Sequence, residues 1–134
     1  MRKSNVLVRE DSSRDPLSEA VIGAAIEVHR HLGPGLLESA YETCMEYELR
    51  ERGLLVARQV PVAIRYKSIR IANGYKLDLL VEKKLVVELK AVERVLWLHE
   101  AQLLTYLKLS GMQRGLLLNF NTPLLKDGIK RLVY

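Results

Sequence analysis

The sequence predicts a single domain of the α/β (α+β) class, in which helices flank a mixed central β-sheet. Three patterns predict this fold. Apolar residues recur at helical spacing in three segments, there is a period of two along residues 75–91, and a continuous apolar run lies at Leu116–Leu118. The predicted order is helix, helix, three strands, helix, strand, strand, which is typical of α/β and α+β domains. A chain of 134 residues fits one such domain.

The composition is typical of a globular protein with a polyanionic partner. Hydrophobic residues make up 49% of the chain, and no run approaches the roughly 20 apolar residues needed to cross a bilayer. The basic N-terminus lacks the apolar segment of a secretory signal, so we expect a cytoplasmic protein with no membrane partner. The net charge of +5 favours a polyanion. Cys44 is the only cysteine, which excludes an intrachain disulfide and a multi-cysteine zinc site.

Two helices are expected near the N-terminus. Residues 1–16 are polar and show no periodicity, so they are predicted to be a loose N-terminal arm, followed by a domain over residues 17–134. The first helix is predicted from about residue 18 to 32, and the second from about residue 36 to 52. Glu38 lies in the first turn of the second helix, where an acid suits the helix dipole.

The segment before the central hairpin is basic. A strand is predicted over residues 54–66, and Pro61 inside it favours an edge position or a bulge. A short run follows at Ile69–Ile71, and Asn73-Gly74 indicates a second turn. Between Arg52 and Leu77 there is no acidic residue. This segment would either track a nucleic-acid backbone or form solvated strand and loop surface.

The stretch 75–91 separates by parity into an apolar set and a mainly charged set, which predicts two β-strands with one apolar and one charged face. A two-residue loop would pair apolar with charged residues on both faces. A three-residue loop at residues 82–84 pairs apolar residues only: Val81 with Leu85, Leu79 with Val87, and Leu77 with Leu89. That register places Asp78 opposite Glu88.

Two facing carboxylates require a compensating positive charge, because like charges directly opposite each other are destabilising. Lys90 is two residues beyond Glu88 on the same face, about 6–7 Å along the strand. A divalent cation such as Mg²⁺ would complete the arrangement with Asp78. The alternative is an exposed hairpin face with an ordinary Glu–Lys cross-strand pair.

The last helix is predicted from about residue 96 to 110. Gln102 and Tyr106 are four residues apart and share a face of it. They either point at a site, or are a surface glutamine and a buried tyrosine. Strands are predicted at residues 113–120 and 128–134.

These motifs together resemble a known nuclease superfamily. Asp78 followed, after nine intervening residues, by Glu88-Leu89-Lys90 resembles the PD-(D/E)XK signature, although leucine stands at position 77 where that name has proline. The upstream and downstream elements resemble the GxxE, GxxxD and QxxxY elements of the RecB-like branch: Gly35 with Glu38, Gly74 with Asp78, and Gln102 with Tyr106. Gly35, Glu38 and Tyr41 also spell GxxExxY, the name of a family that is similar from about Leu17 to Tyr134.

The resemblance implies a restriction-endonuclease-like core of order αβββαβ and a metal-dependent nuclease. It implies that Asp78, Glu88 and Lys90 are catalytic and that Glu38 joins the two acids in holding Mg²⁺ or Mn²⁺. Gln102 and Tyr106 would position the substrate, a nucleic acid that we expect to be DNA.

Other interpretations stay open at this point. A chain this short has little surface with which to grip a duplex, which favours a homodimer, although no heptad pattern supports one. The same fold could also serve as a catalytically inactive nucleic-acid- or protein-binding module. A third interpretation is a structural domain whose charged hairpin is ordinary surface.

Overall fold

The structure, a computed structural model, describes residues 10–12 and 14–134 of the chain. Within these residues it has three α-helices, five strands and a 3₁₀ turn. In chain order they are α1 (Pro16–Leu32), α2 (Glu38–Glu51), β1 (Val56–Tyr66), β2 (Ile69–Val81), β3 (Leu85–Lys90), α3 (Trp97–Ser110), β4 (Arg114–Asn119), the 3₁₀ turn (Leu125–Gly128) and β5 (Ile129–Val133). The predicted order of helices and strands is confirmed.

The five strands form one mixed sheet in the order β1-β2-β3-β4-β5. Only β3 and β4 are parallel, and α3 makes the crossover between them; the other neighbours are antiparallel. β1 lies at an edge of the sheet, where Pro61, which cannot donate a backbone hydrogen bond, is tolerated. The predicted mixed sheet is therefore confirmed.

Helices cover both faces of the sheet. α1 and α2 pack on one face in a cluster that includes Val21, Met45 and Phe120. α3 packs on the other face in a second cluster that includes Val86 and Leu107. The prediction of one apolar and one charged face for the 75–91 hairpin is therefore wrong, since α3 supplies a second apolar layer. Val86 is fully buried beneath it.

The β1–β2 ribbon exchanges its faces at one step. Leu79 packs in the α1–α2 cluster, whereas Leu77, two residues earlier, packs in the α3 cluster. On β1, Val56 and Val60 divide between the clusters in the same way. Strict alternation would keep each pair on one face. The exchange lies where β1 passes through Gln59, whose φ of 50° is unusual for a strand.

The expected turn at Asn73-Gly74 is instead a bulge inside a continuous β2. The β1–β2 register shifts between Val62 and Ile64, and Asn73 has a φ of 56°. Gly74 is required here because a Cβ atom on it would lie 2.5 Å from the Ile64 side chain. The residue types that favour a turn also favour a bulge, which is why the sequence pattern did not separate them.

Most of the predicted N-terminal arm lies outside the described residues, which do not include residues 1–9 and 13. Glu10 forms an isolated bridge with Leu132, and the Asp11 amide donates to the Arg131 carbonyl at 2.8 Å. Asp15 caps α1 by accepting a hydrogen bond from the Ser18 amide at 3.0 Å. The division at residue 16 stays a prediction. In the described part of the chain, no helix combines the length and apolar character of a membrane span.

Candidate active site

Asp78 and Glu88 lie together where the β2–β3 ladder ends. The predicted pairs Val81–Leu85 and Leu79–Val87 are present, and residues 82–84 form the loop without a glycine because Glu82 and Lys83 adopt φ values of 54° and 55°. Ladder pairing stops at Leu79–Val87, so the backbone pairing expected for the next two positions was wrong.

Side chains replace the backbone pairing at this point. The Asp78 amide donates to Glu88 Oε2 at 3.1 Å, and the Leu89 amide donates to Asp78 Oδ2 at 2.9 Å. Each carboxylate thus accepts a hydrogen bond from the other strand. This reciprocal arrangement holds the two acids side by side, as the register predicted, by a different set of bonds.

The environment of Glu88 favours its protonated form. The side chain is buried, with 5% of the residue exposed. Burial raises the pKa of Glu88 to about 8, and the neighbouring charge of Asp78 acts in the same direction, while the charge of Lys90 lowers the pKa. A buried carboxylate beside a second one is electrostatically unsatisfied, and a cation bound between them would relieve it.

Lys90 lies beside the acid pair at the end of β3, and Glu38 contacts the backbone just beyond it. Lys90 is half-buried at the end of β3, close enough for its charge to act on Glu88. Glu38, the first residue of α2, is exposed, and its Oε2 accepts a hydrogen bond from the Ala91 amide at 3.2 Å. The start of α2 is therefore fixed against the end of β3.

Tyr41 fixes the turn that carries Glu38. Its hydroxyl donates to the Gly33 carbonyl at 2.6 Å and accepts from the Leu36 amide at 3.1 Å. The ring is fully buried and stacks on Phe120, with ring centroids 4.4 Å apart. Gly35 has a φ of 103°, a conformation that L side chains rarely adopt. The GxxExxY residues thus form one local structure that orients the glutamate.

Tyr106 reaches the acid pair from α3. Its pKa is raised by burial and by the charges of Glu88 and Asp78, and a hydrogen bond with Gln102 lowers it. The Tyr106 ring stacks on Tyr75 with centroids 4.2 Å apart, and the Tyr75 hydroxyl donates to the Tyr106 carbonyl at 3.0 Å. Gln102 is exposed one turn earlier. The structure therefore brings both predicted α3 residues to this side of the sheet.

Gln59 and Glu42 also belong to the site, and sequence reasoning missed their part in it. The Gln59 side-chain amide donates to Glu42 Oε1 at 2.8 Å and to Asp78 Oδ1 at 3.4 Å. Glu42 is buried and accepts from Arg58 Nε at 2.9 Å. The spacing of Glu42 from Glu38 by one helical turn was visible in the sequence. No local pattern indicated Gln59, which reaches Asp78 only through the left-handed backbone.

The acid pair has the chemistry of a site for a hard cation. Mg²⁺ and Mn²⁺ prefer carboxylate oxygens, and Asp78 and Glu88 supply them side by side, with Glu88 buried. Glu38 stands apart, since its carboxylate is engaged with Ala91. Among the described residues, no set of three or more His, Cys, Asp and Glu side chains is arranged to hold a metal ion. The structure therefore brings together two of the three predicted ligands.

Comparisons with known proteins bear on this geometry. The family model described as the PD-(D/E)XK nuclease superfamily matches residues 15–132 of the chain. No curated protein and no solved structure matched the chain. The match covers the three helices and β1 to β4 in full, and β5 as far as Leu132.

Proposed function

This chain belongs to the PD-(D/E)XK nuclease superfamily, and we propose that it is a divalent-metal-dependent nuclease that hydrolyses phosphodiester bonds of DNA. The observation that carries the proposal is the Asp78–Glu88 pair, in which each acid accepts a hydrogen bond from the other strand and Lys90 stands beside them. The acid pair interrupts strand pairing and its Glu88 is buried, neither of which an ordinary surface hairpin requires.

We further assign the chain to the GxxExxY family and to the RecB-like branch of the superfamily. The support is the structure around Gly35, Glu38 and Tyr41, where the glycine permits the turn, the tyrosine holds it and the glutamate reaches Ala91. The GxxxD glycine, Gly74, has a steric reason in its contact with Ile64.

In this proposal Asp78 and Glu88 hold Mg²⁺ or Mn²⁺, with Glu38 as the third carboxylate. The bound ion would lower the pKa of a water molecule and neutralise charge on the phosphoryl group. Lys90 supplies preorganised positive charge to the transition state or orients the attacking water. Gln102 and Tyr106 position the nucleic acid from α3. The cytoplasmic location and the homodimer expected from the sequence stay predictions.

Titration calorimetry with Mn²⁺ tests the site. Wild type should bind the ion and cleave linear or circular DNA, and Asp78→Ala should lose both. Asp78→Asn keeps a hydrogen-bond acceptor for the Leu89 amide while removing the charge, so it separates a binding defect from misfolding. Glu51→Ala is the matched control, because it removes an exposed carboxylate from the far end of α2.

A second candidate function is a nucleic-acid- or protein-binding module without catalysis. The specific observation that favours it is the separation of Glu38 from the acid pair, which leaves two carboxylates together rather than three. Metal binding without cleavage of either substrate would support this module. Absence of metal binding in wild type would contradict both candidates and leave the acid pair a structural feature.

A further inference from the structure

The distal half of the β1–β2 ribbon projects beyond the core. The α3 cluster takes in Val62 and Tyr75 at its margin, and all ten residues from 65 to 74 are exposed. We call residues 63–74 the hairpin arm. Its strands pair with each other through Ile64–Ile71, Arg65–Arg70 and Tyr66–Ile69, and the Ile64–Gly74 contact shapes its base.

The arm has one cationic face. Arg65 and Arg70 pair directly across the two strands, so their side chains lie on the same face. Like charges at such positions destabilise a hairpin. Lys67, at the tip, lies with its Nζ 5.3 Å from the centroid of the Tyr66 ring. The fold therefore keeps two guanidinium groups side by side at a cost in stability, on an element that supports no core.

No acidic residue in the described part of the chain forms an ion pair with these cations. The chain has no Asp or Glu between residues 52 and 77. Two other cations of this segment are neutralised, since Arg52 pairs with Glu48 at 3.0 Å and Arg58 with Glu42 at 2.9 Å. Across the described residues, by contrast, no carboxylate lies within ion-pair distance of Arg65, Lys67 or Arg70. Of the other four cations of the segment, three lie on the arm and the fourth, Lys76, follows it on β2.

We propose that the hairpin arm grips double-stranded nucleic acid on one side of the acid pair. This deepens the proposed nuclease function by naming the substrate as a duplex. A two-stranded β-ribbon fits the major groove of B-form DNA, and its cations then reach the phosphates on either side. A second copy of this chain is a poor occupant of the same face, because two arms would bring uncompensated positive charges together.

The length of the arm sets the reach of the grip. Asp78 is eight residues beyond Arg70 in the chain, which corresponds to about 25 Å along an extended strand. At 3.4 Å per base pair this span is about seven base pairs of duplex. The arm would therefore contact the duplex several base pairs away from the bond that the acid pair is proposed to cut.

A salt titration of binding tests the arm without relying on cleavage. Binding of a labelled 20-base-pair duplex and of one of its strands is measured by fluorescence anisotropy in EDTA, over a range of NaCl concentrations. Arg65→Gln/Arg70→Gln should weaken duplex binding by about tenfold or more. It should also reduce the slope of log K against log salt by about 1.8, as expected for two lost phosphate contacts.

Two further variants control the test. Lys84→Gln/Lys126→Gln removes the same charge from exposed positions outside the arm and should leave most of the slope in place. Arg65→Lys/Arg70→Lys keeps the charge and should restore it. Urea unfolding should show that Arg65→Gln/Arg70→Gln is no less stable than wild type, because the two arginines face each other and contact no core.

The outcomes separate this inference from the proposed catalysis. If Arg65→Gln/Arg70→Gln has the same slope as Lys84→Gln/Lys126→Gln, the arm is not a binding element. An equal loss on the single strand would overturn the duplex assignment. Because binding is measured in EDTA, a protein that never cleaves DNA could still confirm the arm, and an active nuclease could still contradict it.

Discussion

Lys90 is the residue whose replacement best separates catalysis from metal binding. If it supplies positive charge to the transition state, Lys90→Ala should lower the cleavage rate by about 100-fold or more. It should leave Mn²⁺ binding near the wild-type affinity, since a lysine does not ligate the ion. Single-turnover cleavage and calorimetry check the two expectations, with Lys84→Ala as an exposed control. Retained cleavage would remove Lys90 from the mechanism.

At the same scale, Gln59 shows what a strand prediction leaves out. Its φ of 50° directs a single amide towards both Glu42 and Asp78. The sequence does not indicate such a conformation at a glutamine, because the β-propensity of the surrounding residues predicts a regular strand and not a left-handed residue within it. The side-by-side placement of Asp78 and Glu88 could be predicted from parity and loop length, but the side-chain hydrogen bonds that replace the ladder there could not.

At the scale of elements, the Tyr41 hydroxyl links the turn before α2 to the position of that helix. Tyr41→Phe removes the hydroxyl that joins Gly33 and Leu36, and a typical intramolecular hydrogen bond contributes about 0.5–1.5 kcal/mol. The free energy of unfolding in urea should fall by that amount. The affinity for Mn²⁺ should fall too if Glu38 is a ligand. Tyr47→Phe, at a position that is 66% exposed, should change neither quantity.

The order of helices and strands along the chain and the approximate helix limits were predictable, because each element carries its own period. α3, for example, ends at Ser110 as expected, with Gly111 at a φ of 77°. The bulge at Asn73-Gly74 was not predictable, since its cause is Ile64 on the neighbouring strand. The exchange of faces in the β1–β2 ribbon lies at Gln59, whose side chain contacts Glu42 and Asp78. Both depend on contacts between residues distant in sequence, which local patterns do not record.

For the whole molecule, burial of Glu88 makes stability depend on pH. The folded protein keeps a proton on Glu88 up to its pKa of about 8, whereas the unfolded chain releases it near the ordinary glutamate pKa of 4.5. Unfolding therefore releases a proton in this window, and a rise in pH favours unfolding. The metal-free protein should lose up to about 1.4 kcal/mol per pH unit from this group.

Urea unfolding in EDTA across pH 5 to 9 measures this effect. Glu88→Gln mimics the protonated acid, so its free energy of unfolding should not fall with the deprotonation of residue 88. The difference in unfolding free energy between this variant and wild type should therefore grow as the pH rises. Parallel curves would mean that Glu88 is already ionised in the folded protein. Metal binding should reduce the pH dependence, because only the deprotonated acid ligates an ion.

The interrupted ladder also makes the backbone a reporter of the site. The amides of Asp78 and Leu89 are protected by carboxylates and not by carbonyl groups of a neighbouring strand. A ligand that draws either carboxylate away leaves its amide open to solvent. Hydrogen–deuterium exchange at these two positions would then quicken as the site fills, whereas ligand binding usually slows exchange.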